Sequence, residues 1–262
     1  RLFGLYVVVT IHSCRSSAFV VTLNRLFLLL ADRVIVVNED IAVRLGLRAY
    51  DVIPAFLPPV HRAKELPAEV RQFVESARAH GRFLLCANAS KLTVYRGEDL
   101  YGLDLCLELV DTLARQRDID AALVFTISYP AAGNPLYVKA HELIAERGLA
   151  ERFCLHNEPL DLVALMTYCD AVLRPTNTDG DALTVREALY LGIPVIASDA
   201  AQRPEGTILF RNRDVADLAD RTIAVLKGET SLPAACGDAD SDACVSKYVD
   251  LYRMACNPPD HS

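Results

Sequence analysis

The regular alternation of short apolar segments with amphipathic ones after Pro67 constrains the fold most. It predicts strands at 83–87, 122–128, 153–155, 171–173, 195–197 and 207–210, with helices between them. Parallel strands need a helical crossover, and a strand that is covered on both faces is apolar throughout. The pattern therefore predicts an α/β fold with a doubly wound parallel sheet, whose ligand lies beyond the carboxyl ends of the strands.

The stretch 174–198 is the clearest candidate for a ligand site. It is typical of a strand end, a loop of turn-forming residues from Thr176 to Asp181, a helix capped by Asp181, and a further buried strand. A helix start offers free backbone N–H groups and a positive dipole end, which suit a phosphate. Asp179 and Glu187 add carboxylates on either side. The stretch therefore predicts a nucleotide-sugar site.

A proline-rich passage divides the chain. Pro54, Pro58, Pro59 and Pro67 fall within fourteen residues, and such a run cannot hold a regular helix or a central strand. We therefore predict an N-terminal domain at 1–55, a linker at 56–66, a C-terminal doubly wound domain at 67–228, and a loop and helix at 229–262.

The N-terminal part contains one strongly apolar segment, Ala18–Ala31. Asn24 and Arg25 interrupt it, and it is shorter than the ~20 apolar residues that a spanning helix needs. It predicts an amphipathic helix that is buried or faces a membrane, and burial is favoured. The segments 5–10, 33–37 and 51–53 predict strands around it.

Composition excludes several classes of protein. The 262 residues are 52% hydrophobic with a mean hydropathy of +0.21, which implies a sizeable core. The net charge of −7 gives no overall attraction to nucleic acid. The eight cysteines contain no CxxC pair and no zinc spacing, so we expect reduced core residues in a cytoplasmic protein.

Several motifs, in the right order, resemble the retaining glycosyltransferases of family 4. Asp179-x7-Glu187, followed by Arg203-Pro-Glu-Gly206, resembles their E-x7-E region, and the stretch 31–40 (ADRVIVVNED) resembles their ADRVIVVSE strand. The sequence at 52–54 (VIP) resembles their VIPNG passage into the linker. The resemblance spans about residues 5–227. It implies the GT-B fold of two Rossmann-like domains, with the start of the N-terminal domain lacking here.

The resemblance implies roles for individual residues. Asp179 would contact hydroxyls of the donor sugar, Glu187 the nucleotide ribose, and His12 would lie close to the transferred sugar. The donor-binding residues that it implies are Asn157, Pro159, Gly180, Leu183, Thr184 and Glu187. The plainer alternatives are that Asp179 caps a turn, Glu187 is a solvated helix residue and His12 is a hydrogen-bonded strand end.

Two positions depart from the family pattern. The first acidic residue is Asp179, which is one methylene shorter than Glu. The basic pair of the family's "GR…KG" pattern has no match, and Tyr101 stands where its lysine would be. Lys91 or Arg96 is the candidate for the cationic contact to the diphosphate.

The implied reaction moves a sugar from a nucleotide-sugar donor to an acceptor hydroxyl with retention of configuration, without a metal or other cofactor. The expected partners are the donor and a glycan or lipid-linked acceptor in cell-surface polysaccharide synthesis, in the cytoplasm or at the inner face of the membrane. The alternatives are a non-catalytic nucleotide-sugar-binding fragment, or another GT-B-fold enzyme such as an epimerase or a phosphorylase.

Overall fold

The computed structural model describes residues 6–12, 18–54, 56, 59, 65–115, 119–230 and 238–256, without the side chains of 18–20, 238–244 and 255–256. In chain order its elements are β1 (Val8–Ile11), α1 (Ala18–Leu28), β2 (Arg33–Val36), α2 (Glu39–Leu45), β3 (Asp51–Val52), α3 (Ala68–Ala79), β4 (Phe83–Ala89), β5 (Val94–Tyr95), β6 (Glu98–Asp99), α4 (Leu103–Arg115), β7 (Ala121–Ile127), α5 (Pro135–Glu146), β8 (Phe153–His156), α6 (Leu162–Met166), β9 (Ala171–Arg174), α7 (Leu183–Tyr190), β10 (Val195–Ser198), β11 (Ile208–Phe210), α8 (Val215–Leu226) and α9 (Asp238–Cys256).

The chain divides into two compact units. The smaller unit comprises residues 1–58, 179–183 and 236–262, and the larger one comprises residues 59–178 and 184–235. Most of the predicted linker, 56–66, lies outside the described residues, so the domain boundaries stay a prediction.

The larger unit is built on a six-stranded sheet in the order β11-β10-β9-β4-β7-β8, in which every pair of neighbouring strands is parallel. Each connection therefore crosses over through a helix or a long loop. β4 and β7 pair along seven residues, and every residue of β7 is buried. The predicted parallel α/β sheet is confirmed.

Alternate residues of β4 face opposite sides of the sheet. Leu85, Ala87 and Ala89 pack into one core cluster with the apolar face of α4, including Leu109 and Leu113. That helix is amphipathic and buries one face, as its sequence pattern predicts. This side of the sheet is thus covered by a helix whose apolar face could be predicted from the sequence.

The smaller unit has a three-stranded parallel sheet in the order β1-β2-β3. Val34 and Val36 of β2 pack on one face with Ile41 of α2, whereas Ile35 packs on the other face with Leu251 of α9. The C-terminal helix, which the sequence analysis treated as a separate tail, is therefore part of the core of this unit.

The expectation that α1 is buried is wrong for most of its length. Val21 and Leu28 pack against the core of the smaller unit. Leu26, Phe27 and Leu30, in the helix and the turn after it, are exposed by 62%, 60% and 64%. A helix that lies on one side of a three-stranded sheet can bury only one stripe, and the apolar residues of this segment are not confined to one stripe.

Among the described residues, no helix is both long enough and apolar enough to cross a membrane. The described cysteines Cys86, Cys106, Cys154 and Cys169 are free, and the first three are buried in the core. Burial raises the pKa of the Cys154 thiol to about 12, so this thiol stays protonated and packs as an apolar group.

Candidate functional site

The strand order of the larger unit reverses between β4 and β9. From β4 the chain adds β7 and β8 on one side, and then β9, β10 and β11 on the other. In open parallel sheets, ligands bind beyond the carboxyl ends of the strands at such a reversal. A ligand is therefore expected beside the residues at the carboxyl ends of β4 and β9.

Three polar side chains meet at this point. Arg174, the last residue of β9, donates from Nη1 to Oδ1 of Asn88 at 3.2 Å and lies 3.4 Å from the Asn88 carbonyl oxygen. The same Oδ1 accepts from Oγ1 of Thr184 at 3.1 Å. Thr184 is in the first turn of α7 and is buried. Asn88 thus ties a strand-end arginine to the start of a helix.

The loop after β9 is held by a second arginine. Arg203 donates from Nη2 to Oγ1 of Thr176 at 2.9 Å and from Nε to the carbonyl oxygen of Ser198 at 3.1 Å. The hydroxyl of Ser198 donates to the carbonyl oxygen of Thr176. Both Thr176 and Ser198 are buried, so the backbone next to Arg174 is fixed by satisfied polar groups.

A two-residue hairpin, β5–β6, is held against the same loop. Its turn residues, Arg96 and Gly97, both have positive φ angles, 54° and 85°, as a tight hairpin turn needs. The side-chain amide of Asn177 donates to the carbonyl oxygens of Tyr95 at 3.0 Å and Glu98 at 3.5 Å. The sequence analysis missed this hairpin, because the strands have two residues each and show no apolar alternation.

Gly102 makes the closest approach between these segments. Its φ is +70°, and a Cβ atom there would lie 2.4 Å from the carbonyl oxygen of Pro175. Only glycine allows both this conformation and this distance. Next to it, the Tyr101 hydroxyl lies 2.7 Å from Oγ of Ser90, and the Arg174 guanidinium carbon lies 5.3 Å from the centre of the Tyr101 ring.

Glu187 lies on α7, half-buried in the larger unit. Burial raises the pKa of its carboxyl above the usual value, and repulsion from Asp161 raises the pKa further. Asp161 caps α6, just after the loop that follows β8. The side chain of Glu187 is thus partly buried, unlike the solvated helix residue of the plainer alternative.

The side-chain amide of Asn157 holds the loop before α5. Its Oδ1 accepts from the backbone N–H of Ala131 at 2.8 Å, and its Nδ2 donates to the carbonyl oxygen of Tyr129 at 2.9 Å. His156 is buried at the end of β8, with Nδ1 3.8 Å from a carboxylate oxygen of Glu69 on α3. A contact from Asn157 to the nucleotide base stays a prediction.

The other predicted site residues divide between the units. Lys91 and Arg96 are exposed in the larger unit, as is Pro159. In the smaller unit, His12 is exposed after β1, and the backbone N–H of Gly180 donates to Oδ1 of Asp179 at 3.0 Å. The roles of these residues, and of Leu183 at the start of α7, stay predictions.

Several residues of the site are brought together only by the fold. Asn88, Tyr101 and Arg203 were given no role in the sequence analysis, and Arg174 was placed near the site only through its neighbours in the chain. Their common signal is position at a strand's carboxyl end or in the loop that follows. Within the described ranges, no cluster of three or more His, Cys, Asp or Glu side chains is arranged to hold a metal ion.

The sequence model of the family "Glycosyl transferases group 1" matches residues 90–240, which is more than half of the chain. The chain therefore belongs to this glycosyltransferase family. A comparison with curated proteins gives no match.

Solved structures of glycosyltransferases are similar in fold. HepE from Anabaena, in complex with UDP and glucose, has a TM-score of 0.71 at 14% identity, over 96% of this chain and 71% of that one. A glycosyltransferase from Rickettsia africae has a TM-score of 0.68 at 13% identity, over 97% and 71%. Sucrose-phosphate synthase from Thermosynechococcus elongatus has 0.65 at 16%, over 94% and 67%. The predicted GT-B-like α/β fold is confirmed.

We expect Gly102→Ala to destabilise the larger unit more than Gly148→Ala does. Both glycines have positive φ, +70° and +64°, but nothing lies within 4 Å of a Cβ at Gly148. The Gly148 variant should therefore lose only the backbone cost of about 1–2 kcal/mol, and the Gly102 variant an added steric cost of about 1–3 kcal/mol. Denaturant unfolding measures both; equal losses would contradict the tight approach to Pro175.

The raised pKa of Glu187 predicts a pH dependence of stability. A carboxyl whose pKa is raised on folding contributes stability that is present below its usual pKa of 4.5 and is lost as the pH rises through the folded value. The stability of Glu187→Gln relative to the natural protein should therefore increase from pH about 4.5 towards neutrality.

Asp217→Asn is the control for this measurement. A hydrogen bond from the backbone N–H of Arg211 lowers the pKa of Asp217 below 3.8, so its effect should be constant over the same pH range. Thermal unfolding of the three proteins at several pH values checks the prediction. A constant difference for Glu187→Gln would show that its burial does not matter.

Proposed function

We propose that this chain binds a nucleotide-sugar donor at the strand reversal of the larger unit and transfers its sugar with retention of configuration, as the family 4 resemblance implies. The observation that carries the proposal is the junction of Asn88, Arg174 and Thr184 at the carboxyl ends of β4 and β9. A helix start beside a buried cation provides the positive potential that a diphosphate needs.

In this proposal the donor lies along α7. Backbone N–H groups of Leu183 and Thr184 bind the phosphates, and Lys91 or Arg96 adds a cationic contact from the surface. Glu187 accepts hydrogen bonds from the ribose hydroxyls, and Asp179 and Gly180 contact the donor sugar. Asn157 and Pro159 form the wall beside the base. UDP, which HepE from Anabaena binds, is the first nucleotide to test.

The reaction exchanges one bond at the anomeric carbon for another. The bond from the anomeric carbon to the diphosphate oxygen breaks, and its electron pair stays on that oxygen. The acceptor oxygen bonds to the anomeric carbon on the same face, and the acceptor's proton passes to the departing diphosphate. Stabilising the departing diphosphate is the chain's main contribution, because preorganised positive groups are most effective where charge develops. His12 is proposed to lie by the transferred sugar. The proposal includes no metal or other cofactor and places the reaction in the cytoplasm, with a hexose moved to a glycan or lipid-linked acceptor.

The test is a panel of UDP-, GDP- and ADP-sugars, with binding measured by calorimetry and turnover by release of the nucleoside diphosphate. Glu187→Gln should weaken donor binding by about 10- to 150-fold, since a hydrogen bond to a charged group contributes ~1.5–3 kcal/mol. Glu142→Gln, an exposed position on α5, is the matched control and should change nothing.

The outcomes of this panel separate the alternatives. Turnover that Glu187→Gln reduces and Glu142→Gln leaves unchanged supports the transferase. Binding without turnover for any acceptor would instead identify a nucleotide-sugar-binding fragment. No binding of any nucleotide sugar would contradict the proposed site altogether.

We also propose that α1 contacts the inner face of a membrane. Leu26, Phe27 and Leu30 are exposed, and Leu28 and Leu29 border a cavity of about 720 Å³. The charged residues that line this cavity are three arginines and two aspartates, namely Arg25, Arg33, Arg48, Asp32 and Asp51. Apolar side chains beside arginines suit an anionic lipid surface, because burial in the interface and attraction to head groups act together.

Sedimentation with vesicles tests this contact. The protein should bind phosphatidylglycerol vesicles better than phosphatidylcholine vesicles, and the double variant Leu26→Ser, Phe27→Ser should lose most of this binding. Val43→Ser, at an exposed position of α2, is the control. Equal binding of the double variant and the control would contradict the proposal.

A further inference from the structure

We infer that Arg174 is the principal cationic contact to the donor's diphosphate. This inference assumes the donor site proposed above and deepens it by naming the residue that reads the phosphate charge. No motif in the sequence assigns this role to Arg174, and it follows from where the fold places the side chain.

The position of Arg174 in the sheet favours this role. Arg174 ends β9, one of the two strands between which the sheet order reverses, and its side chain meets Asn88 near the end of the other. An anion that binds beyond the carboxyl ends of these strands would therefore lie beside the guanidinium.

The side chain of Arg174 is buried and held in a fixed position. Arg174 is only 8% exposed, and burying a guanidinium is costly unless the surroundings hold it. Here Asn88 accepts from Nη1, and the ring of Tyr101 lies 5.3 Å from the guanidinium carbon, within the range of a cation–π contact. The guanidinium is therefore positioned before any ligand arrives.

Arg174 is also linked to the start of α7. Oδ1 of Asn88 accepts both from Arg174 and from the hydroxyl of Thr184, in the first turn of α7. This shared acceptor places a positive side chain and the positive end of a helix next to one another. The planar fork of a guanidinium also matches the oxygens of a phosphate.

Lys91 and Arg96 are less suited to this role by themselves. Both are exposed, and Arg96 stands at the tip of the β5–β6 turn, with its guanidinium carbon 5.3 Å from the centre of the Tyr95 ring. Exposed charges are screened by salt, and ordering a long side chain opposes binding. A buried, prepositioned cation loses less on binding, so Arg174 should contribute more of the phosphate affinity.

The test compares a nucleoside diphosphate with its nucleoside. UDP, GDP and ADP are first titrated into the natural protein, and the one that binds is paired with its own nucleoside. The dissociation constant of the nucleoside divided by that of the nucleoside diphosphate gives a ratio that measures how much affinity the phosphates add. Arg174→Gln should reduce that ratio about 10-fold or more, the effect of losing a charged hydrogen bond, while nucleoside affinity stays unchanged.

Arg82 provides a matched control. It is 5% exposed and lies at the opposite, amino end of the same sheet, where it bonds to Asp120 and Glu151. Arg82→Gln removes a similarly buried arginine and should leave the ratio unchanged. If Arg174→Gln does not fold, Arg174→Lys and Arg82→Lys decide the question, because each keeps the charge; the Arg174 variant should still reduce the ratio several-fold through loss of the planar fork.

The outcomes distinguish this inference from the function on which it rests. If no nucleoside diphosphate binds the natural protein, the proposed donor site is wrong. If one binds and a folded Arg174 variant keeps the full ratio, the donor site stands and the role of Arg174 is overturned. A reduced ratio in the Arg174 variant together with an unchanged ratio in the Arg82 variant supports the assignment.

Discussion

The larger unit depends on one constraint, which is that β4 is paired on both of its edges by parallel strands. Cys86 of β4 lies opposite Val124 of β7 on one side and Val172 of β9 on the other. Parallel neighbours bring carboxyl ends to one edge of a sheet. Asn88 and Arg174, 86 residues apart in the chain, therefore meet there. This double pairing therefore places Arg174 beside the start of α7.

Around this junction the polar groups are held by one another. Arg203 fixes the loop after β9 through Thr176, and Asn177 holds the short hairpin to the same loop. Gly102 lets the chain pass against Pro175 at a distance that no other residue allows. Buried polar groups are costly when unpaired and confer rigidity when paired. These contacts give the candidate donor site a fixed backbone, which electrostatic stabilisation of a leaving group requires.

The strands and helices of the larger unit were largely predictable. The predicted strands at 122–128 and 195–197 correspond to β7 (Ala121–Ile127) and β10 (Val195–Ser198), because apolar runs report burial directly. Burial of α1 was predicted wrongly, since an apolar segment shows what a helix can bury but not how much surface is available to cover it. The packing of α9 on β2 could not be predicted either, because nothing local in a sequence names a distant partner.

The sequence by itself determined the class of fold, the order of the strands in the main sheet along the chain and the helix start of α7, because each depends on a local pattern of apolar, turn-forming and capping residues. Its motifs, which keep their order along the chain, also identified it as a glycosyltransferase. Only the tertiary structure decided which side chains stand at that helix start. Asn88, Tyr101 and Arg174 become neighbours through strand pairing and helical crossovers. Such long-range contacts produce no periodic pattern in the sequence, so they cannot be predicted from it.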